Sequence, residues 1–315
     1  MPVDRKRNLT RLATLLALMA FAAPHALATS PPSMADILAA SAPSDWRTLD
    51  PENTVYMQLP KGRVVIELDP RFAPHHVANI KTLIREGYFD GSAIVRVQDD
   101  YVVQWADPDG KRSVGAAAAT LKAEFDRPFD ASEPFTALPD PDTYAPLSGF
   151  ADGFPAARDR GAGKTWLTHC YGMVGVGRDN DADSGGGTEL YAVIGHAPRQ
   201  LDRNVTLVGR VVRGIELMSS LPRGTEALGF YKTAAERTPI LSVKIAADVP
   251  ATDRVDLIAL RTDTATFAKL LENRRFRKDD WYKTPAGHID VCNMPLPTST
   301  ADVQWKKQST FIAPK

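Results

Sequence analysis

Residues 92–110, "SAIVRVQDDYVVQWADPDG", hold two apolar runs of strand-forming residues, each interrupted by one long polar side chain, Arg96 in the first and Gln104 in the second. The "QDD" between them is a turn signal, so the stretch predicts a β-hairpin. Centring the turn on Asp99 sets Arg96 opposite Val102 and Ile94 opposite Gln104. Any odd-length loop brings Arg96 and Gln104 out on the same side of the sheet. A permanent cation inside a run that favours burial needs a reason, and a surface bearing a few well-placed donors above apolar neighbours is one.

The flanking sequence extends the sheet. "TVYMQLPKGRVVIEL" (54–68) alternates around a Pro-Lys-Gly turn and predicts a second hairpin. Pro74 follows at a first-turn position, Val77, Ile80, Leu83 and Ile84 recur at helical spacing, and Gly87 ends the helix. A helix behind a hairpin implies a sheet with one covered face. From Asp109 to about Cys170 periodicity is lost in a segment dense in Pro, Asp, Gly and Phe, which reads as a long loop insertion. Strand-like runs resume with "YGMVGVG", "TELYAVIG", "NVTLVGRVV" and "TPILSVKIA", with one short helix, "GIELMSSL". Many short strands and two helices predict an antiparallel barrel or sandwich. After Asp248 composition changes: "RVDLIAL" predicts a strand, and Asp263 or Thr264 caps a helix bearing Phe267, Leu270 and Leu271. The resulting division is a leader at 1–28, a linker with one short helical turn at 29–52, a domain at 53–248 with the insertion at about 109–170, and a small α+β C-terminal extension at 249–315.

The leader is read from Arg5, Lys6, Arg7 and Arg11, an apolar run at 12–23 too short to span a bilayer, and the small-x-small site Ala26-Leu27-Ala28. It predicts export through a cleavable signal peptide, to the periplasm in a Gram-negative cell. The chain carries 38 basic and 38 acidic residues; removal of the leader leaves 34 and 37, net −3. That balance points away from nucleic acid and anionic lipid as partners. The two cysteines, Cys170 and Cys292, both survive cleavage, and in an exported protein an even pair favours a disulfide, two separate buried thiols being the alternative.

Three landmarks in order, "GYFDGSAIVRV", "YVVQWADP" and "LVGRVVRGIEL", resemble segments of the cyclophilin family of peptidyl-prolyl isomerases, over roughly Thr54 to Asp248. The resemblance implies a mainly β fold, a closed antiparallel barrel capped by two helices. It also implies isomerisation of X-Pro bonds in exported polypeptides, without cofactor or metal, by a monomer. It would make Arg96 the electrophilic donor to the prolyl nitrogen and Gln104 the holder of the substrate backbone. Tyr101, Val102, Tyr191 and Leu201 would receive the proline ring, Gly175 would stand at a peptide-binding backbone position, and Glu189 would lie beside them.

The chain departs from the family pattern in ways that bear on activity. Ile94-Val95 replaces Phe-His, Trp105-Ala106 replaces Gly-Gly, Gln200 replaces a tryptophan and Val205 a histidine. Glu189 puts a carboxylate where an amide is usual, positioned to pair with Arg96 and blunt it. Two readings follow, an isomerase with Arg96 unpaired between aromatic rings, or a peptide-binding, chaperone-like module in which Glu189 neutralises Arg96. Other motifs are weak. "GAGKT" (161–165) has Arg158 where a phosphate loop needs its first glycine. "DNDADSGGGTEL" has Ser184 and Leu190 at two key calcium-loop positions. His75-His76, His169 and His196 have no partner recognisable in sequence.

Overall fold

The computed structural model describes residues 32–302 and 304; the predicted leader lies outside them. Nine strands form one antiparallel sheet in the order Thr238–Pro239, Ala93–Val97, Val102–Ala106, Leu190–Val193, Met173–Val176, Leu207–Arg213, Gly62–Leu68, Thr54–Leu59, Ser242–Ile245. The first and last are halves of one extended segment. Thr238 and Pro239 pair with the Arg96 strand, Ser242 to Ile245 pair with the first hairpin, and the Ile240 and Leu241 amides bridge to Ser92 and Gln58. The sheet thereby closes on itself, and a closed barrel has no open edge to protect.

Alternation fills the barrel. Val55, Met57, Val64, Ile66, Val103, Trp105, Val174, Leu190, Ala192 and Val243 point inward. Helix Pro74–Arg85 plugs one opening with Val77, Ile80, Leu83 and Ile84, and the one-turn helix Glu216–Ser219 adds Met218. Trp105 is 1% exposed, so its indole belongs to the core and leaves the opposite face of its strand clear.

The Pro74–Arg85 helix begins at Ala73, which has no side chain to cap it. Glu124 does so from a distance: its carboxylate accepts the His75 and His76 amides (3.1 and 2.9 Å) and meets His76 Nδ1 at 2.6 Å. A carboxylate at a helix N-terminus satisfies orphan donors and complements the helix dipole.

Three sequence expectations are corrected. The segment at 109–170 is not all loop: it contains a five-stranded antiparallel sheet, in the order Arg127–Pro128, Lys164–Leu167, Phe154–Asp159, Leu147–Ala151, Thr136–Ala137. Two of these strands are two residues long, Lys164–Leu167 has only four, and the other two carry Gly, Ala or Pro, too little for alternation to register. "GAGKT" is part of the hairpin joining two of them. Residues 32–52 are more than a linker: Met34–Ala39 is the short helical turn expected there, with a Ser33 capping box, but Trp46–Thr48 is a strand that pairs with Leu257–Leu260 of the C-terminal extension. Thr298–Thr300 completes that three-stranded sheet. The hairpin of 92–110 turns about Asp100, one residue later than expected, because Asp100 adopts a left-handed conformation (φ 51°) that aspartate tolerates.

The extension is α+β as expected, with Thr264 Oγ1 capping helix Ala265–Arg275 at the Phe267 amide (3.2 Å). Phe267, Leu270 and Leu271 join Phe150, Phe154, Ile258 and Cys170 in a second hydrophobic core, shared by the insertion and both ends of the described chain. A Cys170–Cys292 disulfide ties the extension to the barrel.

Candidate active site

The site is one rung of the sheet. Arg96 pairs with Gln104, Gln104 with Tyr191, and Tyr191 with Gly175, across four adjacent strands. Residues directly opposite one another share a face, so the outward side chains of this rung form a row. The turn about Asp100 sets this register and replaces the expected pairing of Arg96 with Val102; a bulge at Val95 shifts the pairing only beyond it, at Ile94 and Ala93.

The row lies in a groove of about 930 Å³, whose lining includes Arg96, Tyr101, Val102, Gln104, Tyr191 and Leu201. Glu189 lines it as well, so the structure brings seven of the eight expected site residues together. Val102, Tyr191 and Val193 make a small apolar floor with Tyr101 and Val205 against it.

Gly175 is the exception. A Cβ there would sit 2.3 Å from the Tyr191 hydroxyl, so the residue is glycine to admit the tyrosine ring and is covered by it. Val176, Gly177 and Arg178, next along the chain, line the groove instead. Phe230 and Leu228, also in the lining, were not found by sequence reasoning. The turn Ala227–Gly229 is pressed on the end of the Arg96 strand: Gly229 (φ 79°) has no room for a Cβ, which would meet Gln98 Cα at 2.6 Å. A glycine-flanked aromatic in "LGFY" was the available signal.

The surroundings of Arg96 decide its chemistry. Nε donates to the Leu228 carbonyl (2.6 Å), Nη1 to Gln104 Oε1 (3.1 Å), and Nη2 to Gln98 Oε1. All three acceptors are neutral, and among the described residues no carboxylate is ion-paired with it. Its guanidinium lies 5.6 Å from the Tyr101 ring centre and 5.4 Å from that of Phe230. Burial draws its pKa below the ordinary arginine value, yet a guanidinium stays charged throughout the working range. Of five N–H donors, three are used and two remain.

Glu189 does not pair with Arg96. Its Oε2 accepts from Gln104 Nε2 at 2.8 Å, and this fixes the amide so that Oε1 faces the guanidinium. The unusual carboxylate therefore orients Gln104 and leaves the cation unneutralised.

Residues 54–246 match the family model described as cyclophilin type peptidyl-prolyl cis-trans isomerase/CLD. A probable peptidyl-prolyl cis-trans isomerase of Brucella suis is 30% identical over 178 residues, 56% of this chain and 76% of that protein. Human peptidyl-prolyl cis-trans isomerase-like 1 is 26% identical over 66% of this chain and 96% of its own length. The crystal structure of cyclophilin AquaCyp293 from Hirschia baltica superposes with TM-score 0.66 at 28% identity, covering 82% of this chain and 94% of that one. That coverage is wider than 54–246, so the likeness takes in residues outside the family segment.

Proposed function

The chain belongs to the cyclophilin-type peptidyl-prolyl cis-trans isomerase family, and from that premise we propose that its isomerase activity is carried by Arg96. An X-Pro bond must pass through a twisted state in which amide resonance is lost, at about 18–20 kcal/mol. In that state the prolyl nitrogen becomes pyramidal and acquires a lone pair. A guanidinium N–H held beneath it donates a hydrogen bond that the planar ground state cannot accept. Stabilisation then falls on the transition state alone, with no bond to the enzyme formed and no proton moved.

The observation that carries the reading is an Arg96 bound only to neutral acceptors and flanked by two rings. A partner carboxylate would have spent its field, and Glu189 is engaged by Gln104 instead. Tyr101, Val102, Tyr191 and Leu201 receive the proline ring, while Gln104 and residues 176–178 hold the peptide on either side of it. Arg96→Ala is expected to lower kcat/KM for a short Ala-Pro peptide by about a hundredfold or more, the usual cost of deleting one transition-state donor. Unchanged kcat/KM in a folded variant would remove Arg96 from the mechanism.

Its substrates on this reading are exported polypeptides. The leader signature and the Cys170–Cys292 disulfide support that assignment, since disulfides persist in oxidising compartments. Cell fractionation tests it: recovery in the periplasmic fraction, shortened by the leader, is expected, and recovery of the full-length chain in the reducing cytosol would contradict it.

A further inference from the structure

Behind the groove runs a line of buried polar groups that the mechanism above does not use. The Tyr191 ring forms part of the groove floor, but its hydroxyl turns inward to His169 Nε2 at 3.0 Å. His169 is 0% exposed, and both its Nδ1 and its backbone N–H meet Asp202 Oδ1 at 2.9 Å. Asp202 Oδ2 accepts from Arg199 Nε at 2.6 Å. The two terminal nitrogens of Arg199 then grip both oxygens of Asp142, at 3.0 and 3.1 Å. Asp142 lies in the insertion, between strands Thr136–Ala137 and Leu147–Ala151.

The proton positions follow from the partners. An ionised carboxylate can only accept, so Nδ1 of His169 carries a hydrogen toward Asp202; in the neutral ring Nε2 then accepts from the tyrosine O–H. Burial raises the Tyr191 phenol far above its usual value, which keeps it a neutral donor. Burial pulls the Asp142 carboxyl upward, but the Arg199 hydrogen bonds outweigh it and leave it below its ordinary value. Each side chain in the line has a hydrogen-bond partner on the next.

Such a chain is a poor way to gain stability. Burying ions costs several kcal/mol each before their pairing offsets it, and a phenylalanine over an apolar neighbour would fill the same space. What a phenylalanine lacks is a tether at its far end. Gly175 leaves room for the hydroxyl where any Cβ would collide with it, so Gly175 and His169 are both fitted to one ring position.

We infer that Asp142, Arg199, Asp202 and His169 are positioning residues through which the insertion fixes Tyr191, and hence the floor of the proline pocket. Leu201 shares its short helical turn with Arg199, so the same anchor holds a second pocket residue. The inference rests on the reading of this groove as the proline site. It assigns the insertion a task at the site it does not line.

The test is a double-mutant cycle on a Pro-containing peptide. Tyr191→Phe cuts the tether while keeping the ring, and Asp142→Asn weakens the far end while keeping the shape. Each is expected to raise KM by about three- to tenfold with kcat within twofold, the size of one buried hydrogen bond. The double variant is expected to be no worse than Tyr191→Phe alone, because both act through one ring. A role in folding alone would lower the unfolding temperature and the active fraction without moving KM. Unchanged KM in either variant, or an Asp142→Asn effect of equal size in the wild-type and Tyr191→Phe backgrounds, would overturn the inference. Arg96→Ala, run beside them, separates the two claims. If Arg96→Ala is silent, the proline-site reading fails; if it abolishes turnover while the cycle shows no coupling, only the relay fails.

Discussion

Arg96, Gln104 and Glu189 work as a set in which each residue aims the next. Glu189 is exposed and contributes little to folding, yet it holds the Gln104 amide by its nitrogen and so turns the oxygen toward Arg96. Glu189→Ala lets that amide rotate and present its nitrogen to a cation. The expected outcome is a kcat reduced about two- to tenfold, the worth of one charge-assisted hydrogen bond, with an unchanged unfolding midpoint; full activity would show that Gln104 needs no guide. The placement of Arg96 and Gln104 in one groove was legible because long polar side chains stand out in apolar strands, and their shared face follows from alternation. The direction of Glu189 was not legible, since it depends on which of two neighbours within reach of it takes the bond. Gly175 was misplaced for a related reason: a glycine carries no sign of whether the space above it is for a substrate or for a neighbour's ring. His169 was invisible because its partners, Tyr191 and Asp202, are 22 and 33 residues away.

Elements hold this set in place by contacts between distant segments. Helix Pro74–Arg85 was legible from its period, but its start depends on Glu124, which no local pattern indicates. Glu124→Gln is expected to cost about 1–3 kcal/mol, as the loss of a charged cap that also pairs with a buried histidine. Burial pushes the Glu124 carboxyl up, but its hydrogen bonds to His76 and the helix amides prevail and hold it below its ordinary value. A carboxyl depressed in the folded state contributes stability that is present above its unfolded pKa, about 4.3, and lost as pH falls through the folded value. Urea melts from pH 6 down to pH 3 should therefore show the gap between wild type and Glu124→Gln narrowing in the acid range. A gap that stays constant would contradict the assigned cap. The insertion strands were missed for a physical reason too, since two-residue ladders such as Arg127–Pro128 are defined by pairing and not by any periodicity of their own.

At the scale of the molecule, a barrel of largely foreseeable order is enclosed by segments whose association was not foreseeable. The first described strand, Trp46–Thr48, pairs with residues more than two hundred positions away. The Cys170–Cys292 disulfide fastens this casing across 122 residues of chain, and reducing it should remove about 2–5 kcal/mol. A thermal midpoint lowered by roughly 5–15 °C is expected for the Cys170→Ser/Cys292→Ser variant, and an unchanged midpoint would mean that the second core suffices alone. The casing places the insertion behind the pocket floor, while the catalytic claim itself concerns one guanidinium. The measurement that tests this claim most directly is exchange NMR on a proline peptide in slight excess over wild-type protein and over Arg96→Ala, since the same spectra report binding and the cis–trans rate. The account predicts that Arg96→Ala binds the peptide within a few-fold of wild type and fails to exchange it. Exchange at the wild-type rate, or loss of binding in proportion to loss of rate, would contradict a donor that acts in the twisted state alone.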